Sequence, residues 1–540
     1  MSTLSRLIRR LSQGASAFGG RLRRDQRGAI AVQFALLAIP LSVLVFALVD
    51  LGRIGLQRRQ MQDALDAATL MAARSTATTD AELEAIGDPA FVAEIAGLNL
   101  GLTASNASFK NGATNHVIGT ASGTLKPIIA NLWTGANFDV VATSDVVRSS
   151  KDLEVAVVLD ITGSMSGSRI TDLKTASSDL VDIIVRDVQA PFYSKVAIVP
   201  YSVGVNVGSY ADVARGPVPA RVISGVTKAN QAVVTSNGHG FITGDQISFS
   251  GVVGMTALNG KTYNVKSVTT NTFTIDANTS NTNAYSSGGL ATCERSTNPG
   301  CKVLAFTSAS GTAEERDLST CVSERTGANA YTDVAPSTAL VGTNYPTTKD
   351  DSNSANPCPT ATITPLSSDK TALKSQINAL AVGGSTAGQI GFAWGWYMVS
   401  PSFGYMWPNA SQRPAAYLTK DLMKVVVLMT DGAFNTPYCN GVIARDAGSG
   451  SGSNADHINC NATNGDPFSQ TKKMCDEMKK TKYGLTIYTV GFDVNDADAK
   501  SMLQYCASKA ENVFFPATGS ELKTTFKSIA QEISALRIAK

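Results

Sequence analysis

Cysteine is missing from the first 292 residues of this 540-residue chain, and all eight (Cys293, Cys301, Cys321, Cys358, Cys439, Cys460, Cys475, Cys506) lie beyond them. No two are spaced as C-x-x-C and only three histidines occur (His116, His239, His457), which removes the common structural zinc patterns. A phosphate-cradling G-x-x-x-x-G-K-[ST] loop is also absent. The nearest approach to a G-x-S-x-G nucleophile elbow is "GSMSG" at 163–167, where Met165 takes the central position, and no histidine is placed by motif to act as its base. No enzymatic activity is expected. Charge is scarce too: 16% of residues are charged against 43% hydrophobic, which excludes a disordered chain and suits a globular one with a membrane segment. The net charge of +3 says little by itself, and no nucleic-acid partner is expected.

What charge there is falls unevenly. Residues 1–27 hold seven arginines (Arg6, Arg9, Arg10, Arg21, Arg23, Arg24, Arg27) against one acid, Asp25, and the next 22 residues, "GAIAVQFALLAIPLSVLVFALV", hold no charge. At about 1.5 Å per residue that run crosses a bilayer as a helix. It is too long for a secretory signal and no small-residue cleavage pattern follows it, so residues 28–51 read as a transmembrane anchor. Arginines ahead of the span put residues 1–27 in the cytoplasm and everything after Asp50 outside it. An even number of cysteines confined to the exported side then reads as disulfides. Pairing by sequence proximity joins Cys293 to Cys301, Cys321 to Cys358, Cys439 to Cys460 and Cys475 to Cys506.

Beyond the span, "GRIGLQRRQMQDALDAATLMAARS" continues helically with Ile54, Met61, Leu65 and Ala68 near one face. Short apolar runs such as "VIGTAS" and "FDVVATSDVV" read as strands, so residues 52–150 are expected to form a helix and a small α+β region. From residue 151 to 540 strands and helices alternate. The strands are "LEVAVVLD", "SKVAIVPYSV", "KVVVLMTD" and "LTIYTVGF". The helices are "RITDLKTASSDLVDIIV", "DKTALKSQINALA", "QIGFAWGWYMVS", one near "KKMCDEMKK" and one from about Gly519. A doubly wound α/β sheet follows from that alternation. Residues 221–292 interrupt it with an all-β pattern that includes an Asn259-Gly260 hairpin signal and the alternating Tyr263, Val265, Phe273 and Ile275. The "GSGSGS" tract from Gly448 reads as a flexible loop near the top of the sheet, and His239 as a turn residue.

In a doubly wound sheet ligands gather where strands end at their carboxyl termini. The first strand ends there in "DITGSM", which supplies Asp160, Thr162 and Ser164, and a later one ends in "MTDG", which supplies Asp431. A glycine-rich turn, "GGSTAGQIG", offers Thr386 at the start of a helix. Three loops therefore bring oxygen ligands only. Hard oxygens of low total charge suit Mg²⁺, octahedral at about 2.0–2.1 Å with positions left to water, and Mn²⁺ and Ca²⁺ are its near rivals.

These motifs resemble the von Willebrand factor A domain with its metal-ion-dependent adhesion site. The resemblance implies that Ser164, Thr386 and the Thr162 hydroxyl bind the metal, and that Asp160 and Asp431 bind it directly or through water. Thr386 is preferred to Ser385 because the family's threonine precedes a helix glycine, here Gly391, by five residues. Thr162 stands where the family usually has serine. The N-terminal "RGAIAVQFALLAIPL" and "DALDAATLMAARS" resemble the TadG-like and TadE-like proteins of tight-adherence (Flp) pilus assembly, and "CVSERTGANAY" and "GSELKTTFKSIAQEISALRIAK" are similar to the TadG branch. That implies a bacterial inner-membrane protein, single pass, with a periplasmic A domain that grips a carboxylate of a protein partner through its metal. A surface adhesin binding host or matrix protein is the alternative. Gly28 and Gln33 have the spacing of a prepilin peptidase site without its glutamate, and an uncleaved anchor is the expectation. The insertion resembles the first catalytic cysteine half-domain of ubiquitin-activating enzymes. Residues 221–292 contain no cysteine, so no thioester chemistry is implied and a spacer or recognition role is expected.

Overall fold

The computed structural model describes residues 26–75, 77, 79–98, 102–113, 116–127, 137–147, 151–190, 192–347 and 356–538. The basic residues 1–25 lie outside it. Two units, Met1–Ser149 and Ser150–Lys540, carry separate cores.

The first unit begins with α1 (Gln26–Arg74), whose two halves differ in what they cover. Ile30, Phe34, Leu37, Leu41 and Leu44 are all more than half exposed, as a helix surrounded by lipid requires, and this helix is long and apolar enough to cross a membrane. Met61, Leu65, Ala68 and Ala72 are buried instead. They pack on α2 (Asp80–Ala96), started by a Thr79/Glu82 capping box, and on an antiparallel meander β1 (Leu102–Asn111), β2 (His116–Leu125) and β3 (Phe138–Val147). Alternate residues of β2 and β3 are buried, the period of a sheet with one dry face.

In the second unit β4 (Asp152–Asp160), β5 (Ser194–Tyr201), β6 (Thr364–Ser367), β7 (Leu422–Thr430), β8 (Leu485–Gly491) and β9 (Val513–Phe514) form one sheet in the order β6-β5-β4-β7-β8-β9. All neighbours are parallel except β6, which runs antiparallel to β5. The central strands are buried along both faces, which is why they read as unbroken apolar runs. One face is covered by α3 (Ser168–Ile184), α4 (Lys370–Asn378) and α8 (Gly519–Ile538), through Leu173, Leu180, Ile377, Phe526 and Ile529. The other is covered by α5 (Gly388–Val399), α6 (Pro467–Met478) and α7 (Ala497–Cys506), through Trp394, Trp396, Met474 and Leu503. The chain leaves β4 toward β5 and later returns on its other side as β7, so the strand order reverses beside β4 and opens a crevice at the carboxyl ends of β4 and β7.

Between β5 and β6 lies the inserted β structure. Its sheet runs from Ala220–Val222 to Ala313–Asp317 and so extends past residue 292, which falls inside the strand Leu290–Ser296. Its core draws only on residues from Val218 to Cys301. The Asn259-Gly260 hairpin is not formed. Residues 251–261 join Gln246–Ser250 to Thr262–Val268 through a short 3-10 turn, and the Asn259 amide is spent on the Val252 backbone, 2.9 Å at both ends. His239 is buried, with Nε2 2.8 Å from the Thr269 carbonyl and Nδ1 accepting from the Phe241 N–H, a structural turn residue. The cysteines pair as Cys293–Cys301, Cys321–Cys358, Cys439–Cys460 and Cys475–Cys506, as proximity implies.

Candidate metal centre

Asp160 is the last residue of β4, and parallel pairing with Tyr201 of β5 holds it in the crevice with no solvent exposure. The chain turns immediately through a 3-10 turn at Gly163–Met165, so the next polar side chains fold back over it. The Thr162 N–H and hydroxyl both donate to Asp160 Oδ1, at 3.0 and 2.6 Å. Ser164 Oγ lies 2.9 Å from Thr162 Oγ1 and donates to Asp431 Oδ1 at 2.7 Å. Asp431 follows the end of β7, so one chain of hydroxyls links the ends of two neighbouring strands. The other Asp160 oxygen, Oδ2, accepts from Tyr201 Oη at 3.0 Å and Thr430 Oγ1 at 2.9 Å.

Thr386 comes from the loop ahead of α5. That loop is stitched to both others: the Gly163 N–H donates to the Gly384 carbonyl at 3.0 Å, and the Asn435 N–H to the Thr386 carbonyl at 3.0 Å. Ser385 and Thr386 are both buried but differently engaged. Ser385 Oγ donates to Asn356 Oδ1 at 2.6 Å. The Thr386 hydroxyl makes no hydrogen bond among the described residues, and only its backbone is tied, with N–H to Asn435 Oδ1 at 3.0 Å. Gly391 allows α5 to lie against the ring of Tyr201, since a Cβ there would fall 2.5 Å from it. The "GSGSGS" tract is held, contrary to the flexible loop expected: Asn356 Nδ2 donates to the Ser451 carbonyl at 2.8 Å and Asn435 Nδ2 to that of Ser449 at 2.9 Å.

Electrostatics set the chemistry. Burial, and then the neighbouring charge of Asp431, push Asp160 up from 3.8 to about 6. Burial also raises Asp431, although Ser164 and Arg169 pull it back, and burial followed by Asp160 drives Tyr201 far above its ordinary value. Two buried acids that resist ionising together, with the hydroxyls of Thr162 and Ser164 between them, offer oxygen donors of the kind a hard divalent cation takes; among the described residues no group of three or more His, Cys, Asp or Glu accompanies them. Arg169, Tyr201, Asn435 and Asp493 are not marked by any motif, and Thr430 stands inside "MTDG" without a role of its own read there. The one available signal is Arg169 itself, a cation in the first turn of α3, where a helix favours acids.

Residues 28–75 match the family model described as putative Flp pilus-assembly TadE/G-like, and residues 229–295 that of the ubiquitin-activating enzyme E1 FCCH domain. The second match takes in Cys293, beyond the cysteine-free range read from sequence, but that residue is buried and bonded to Cys301. No curated protein matches the chain. Among solved structures it is similar to the pilus adhesin SpaC from Lactobacillus rhamnosus GG, at 11% identity over 79% of this chain and 34% of that one, TM-score 0.30. It is also similar to the vWF domain of the type V pili tip protein Mfa5 from Porphyromonas gingivalis, at 12% identity over 72% and 97%, TM-score 0.31. A third is proximal thread matrix protein 1 from the mussel byssus with a zinc-occupied MIDAS motif, at 12% identity over 72% and 47%, TM-score 0.26. The chain spans 34% of the length of the SpaC structure, and no residue role is transferred from any of the three. A segment matching the TadE/G-like Flp pilus-assembly family model thus precedes a doubly wound α/β domain into which an FCCH-like β module is inserted.

Proposed function

We propose that the Ser150–Lys540 unit binds a divalent cation, Mg²⁺ by preference, through Asp160, Thr162, Ser164, Thr386 and Asp431, and thereby a carboxylate of a protein partner in the assembly or anchoring of a tight-adherence pilus. The observation that carries the reading is the pairing of Asp160 with Asp431: two buried acids joined through hydroxyls, with a raised affinity for protons that a cation would relieve. The Thr386 hydroxyl, without a protein partner among the described residues, supports it. When bound, the metal supplies a positive centre with open positions for an anionic ligand. The protein's own work is to hold five oxygens on three loops and to keep Asp160 oriented through Tyr201 and Thr430.

The role is one of binding. Ser164, the hydroxyl at the centre of the site, is partnered by Thr162 and by Asp431, a carboxylate that Arg169 also holds, and among the described residues no histidine or lysine hydrogen-bonds to it. The apolar half of α1 would anchor the unit in the inner membrane with its C-terminal region in the periplasm. The β module would act as spacer or recognition surface. A reporter active only outside the cytoplasm, fused after Lys540, is expected to be active, and a silent fusion would reverse the orientation. Crosslinking in cells that assemble the pilus should capture a pilus or machinery component with the wild-type chain, and lose it on chelation and in Asp431→Asn. Capture that survives both treatments would leave the A domain a scaffold.

A further inference from the structure

Arg169 is the charged residue of the site that metal ligation does not use. The first turn of α3 holds no acid, and the positive end of the helix dipole disfavours a cation there. Two acids from two different strand ends hold it in place: Nη1 donates to Asp431 Oδ2 at 3.1 Å and Nη2 to Asp493 Oδ2 at 2.5 Å. The acids are unlike each other, since the Asp431 side chain is 1% exposed and that of Asp493 is 40% exposed. Asp493 also has φ of 50°, a left-handed backbone uncommon outside glycine, fixed by its N–H to the Pro516 carbonyl at 2.8 Å. The Phe492 ring lies 6.0 Å from the guanidinium and lines its other side.

We propose that Arg169 is a built-in counter-cation that neutralises Asp431 in the metal-free protein and withdraws onto Asp493 when a divalent cation binds. The inference rests on the metal-binding reading above. Both Asp431 oxygens are already engaged, Oδ1 by Ser164 and Oδ2 by Arg169. A guanidinium touching a ligand carboxylate repels a dication, and arginine cannot relieve that repulsion by losing its proton, so it relieves it by moving. Asp493 makes the movement short because it already holds the second nitrogen and stands at the solvent edge. The latch sets metal affinity below what the five oxygens alone would give, as any competing state does.

Mg²⁺ and Mn²⁺ titrations of the full-length chain in detergent micelles test this. Arg169→Gln is expected to tighten metal binding by about fivefold or more, the lower range of site-to-site coupling. Asp493→Asn, an exposed substitution with little to lose in folding, should weaken it by removing the alternative berth, and should have no effect in the Arg169→Gln background. In chelator, Arg169→Gln should lower the melting temperature, and adding Asp431→Asn should restore it. Binding by Arg169→Gln equal to or weaker than wild type overturns the latch while leaving the metal site standing, as does an Asp493→Asn effect that persists without Arg169. Heat from Arg169→Gln alone, with none from wild type, supports the latch in its strongest form. Silence from both ends the metal reading and the latch together.

Discussion

Ser385 and Thr386 are neighbours of similar burial whose hydroxyls have opposite fates, and on the proposed reading that contrast separates a ligand from a scaffold residue. Thr386→Ala is expected to weaken Mg²⁺ binding about tenfold with little change in melting temperature, because its hydroxyl supports nothing else. Ser385→Ala should leave the metal affinity within about twofold and cost about 1 kcal/mol of stability, since its hydroxyl is spent on Asn356. Calorimetry and thermal melts of both variants decide, and the reverse order would move the ligand to Ser385. Asp160 gives a pH test. Its folded value of about 6 lies above the ordinary 3.8, so the native state holds that proton more tightly than the unfolded chain. That contribution is complete below about pH 4 and is lost as pH rises through about 6. In chelator, wild type should therefore gain stability relative to Asp160→Asn on going from pH 7 to 5, and a difference flat in pH would contradict the buried pair. Metal affinity should fall over the same interval as protons compete for the acid. Asp160, Thr162, Ser164 and Asp431 are legible because each lies at or just past the end of an apolar strand, within a short motif. Arg169 and Asp493 are not, since 324 positions separate them and only the sheet brings them together. Tyr201 is hidden for another reason: in an apolar strand a tyrosine reads as core, and only the fold shows its hydroxyl on Asp160.

At the scale of elements, helix and strand periods carry most of the second unit, because strands buried on both faces and helices with one apolar stripe leave plain signatures. The inserted module is less legible at its edges. Its last hairpin, Val303–Thr307 with Ala313–Asp317, shares a small core with the Cys439–Cys460 loop through Leu304, Tyr345 and Val442. No local pattern announces that partnership, and residue 292 is a poor cut. Residues 219–301 are the better unit. They contain nearly the whole module core and both members of one disulfide. Their ends lie close, because the Pro219 carbonyl accepts from the Cys293 N–H and the Cys293 carbonyl from that of Lys302. Replacing 219–301 by a bridge of about four glycine and serine residues should leave a folded chain with unchanged metal affinity. Loss of soluble, cooperatively melting protein would show that the module completes the α/β domain.

For the whole molecule, a 49-residue helix with an apolar first half and a core-forming second half would tie the TadE/G-like segment to a bilayer. On the proposed reading the α/β domain on the same chain would then be a tethered grip whose hold depends on a cation. Composition announces this division, through charge missing from residues 28–49 and cysteine missing before residue 293. The partner is not legible, because a site that offers a metal to a carboxylate leaves its selectivity to surrounding loops that no motif marks. The most direct measurement is calorimetric titration of the full-length chain in micelles with Mg²⁺ and with Mn²⁺, wild type beside Asp160→Asn and Asp431→Asn. The account predicts one site per chain in wild type and at least about a tenfold loss in either variant, since each acid supplies charge that offsets dehydration of the cation. Equal heats from wild type and both variants, or none from wild type and Arg169→Gln alike, would contradict it.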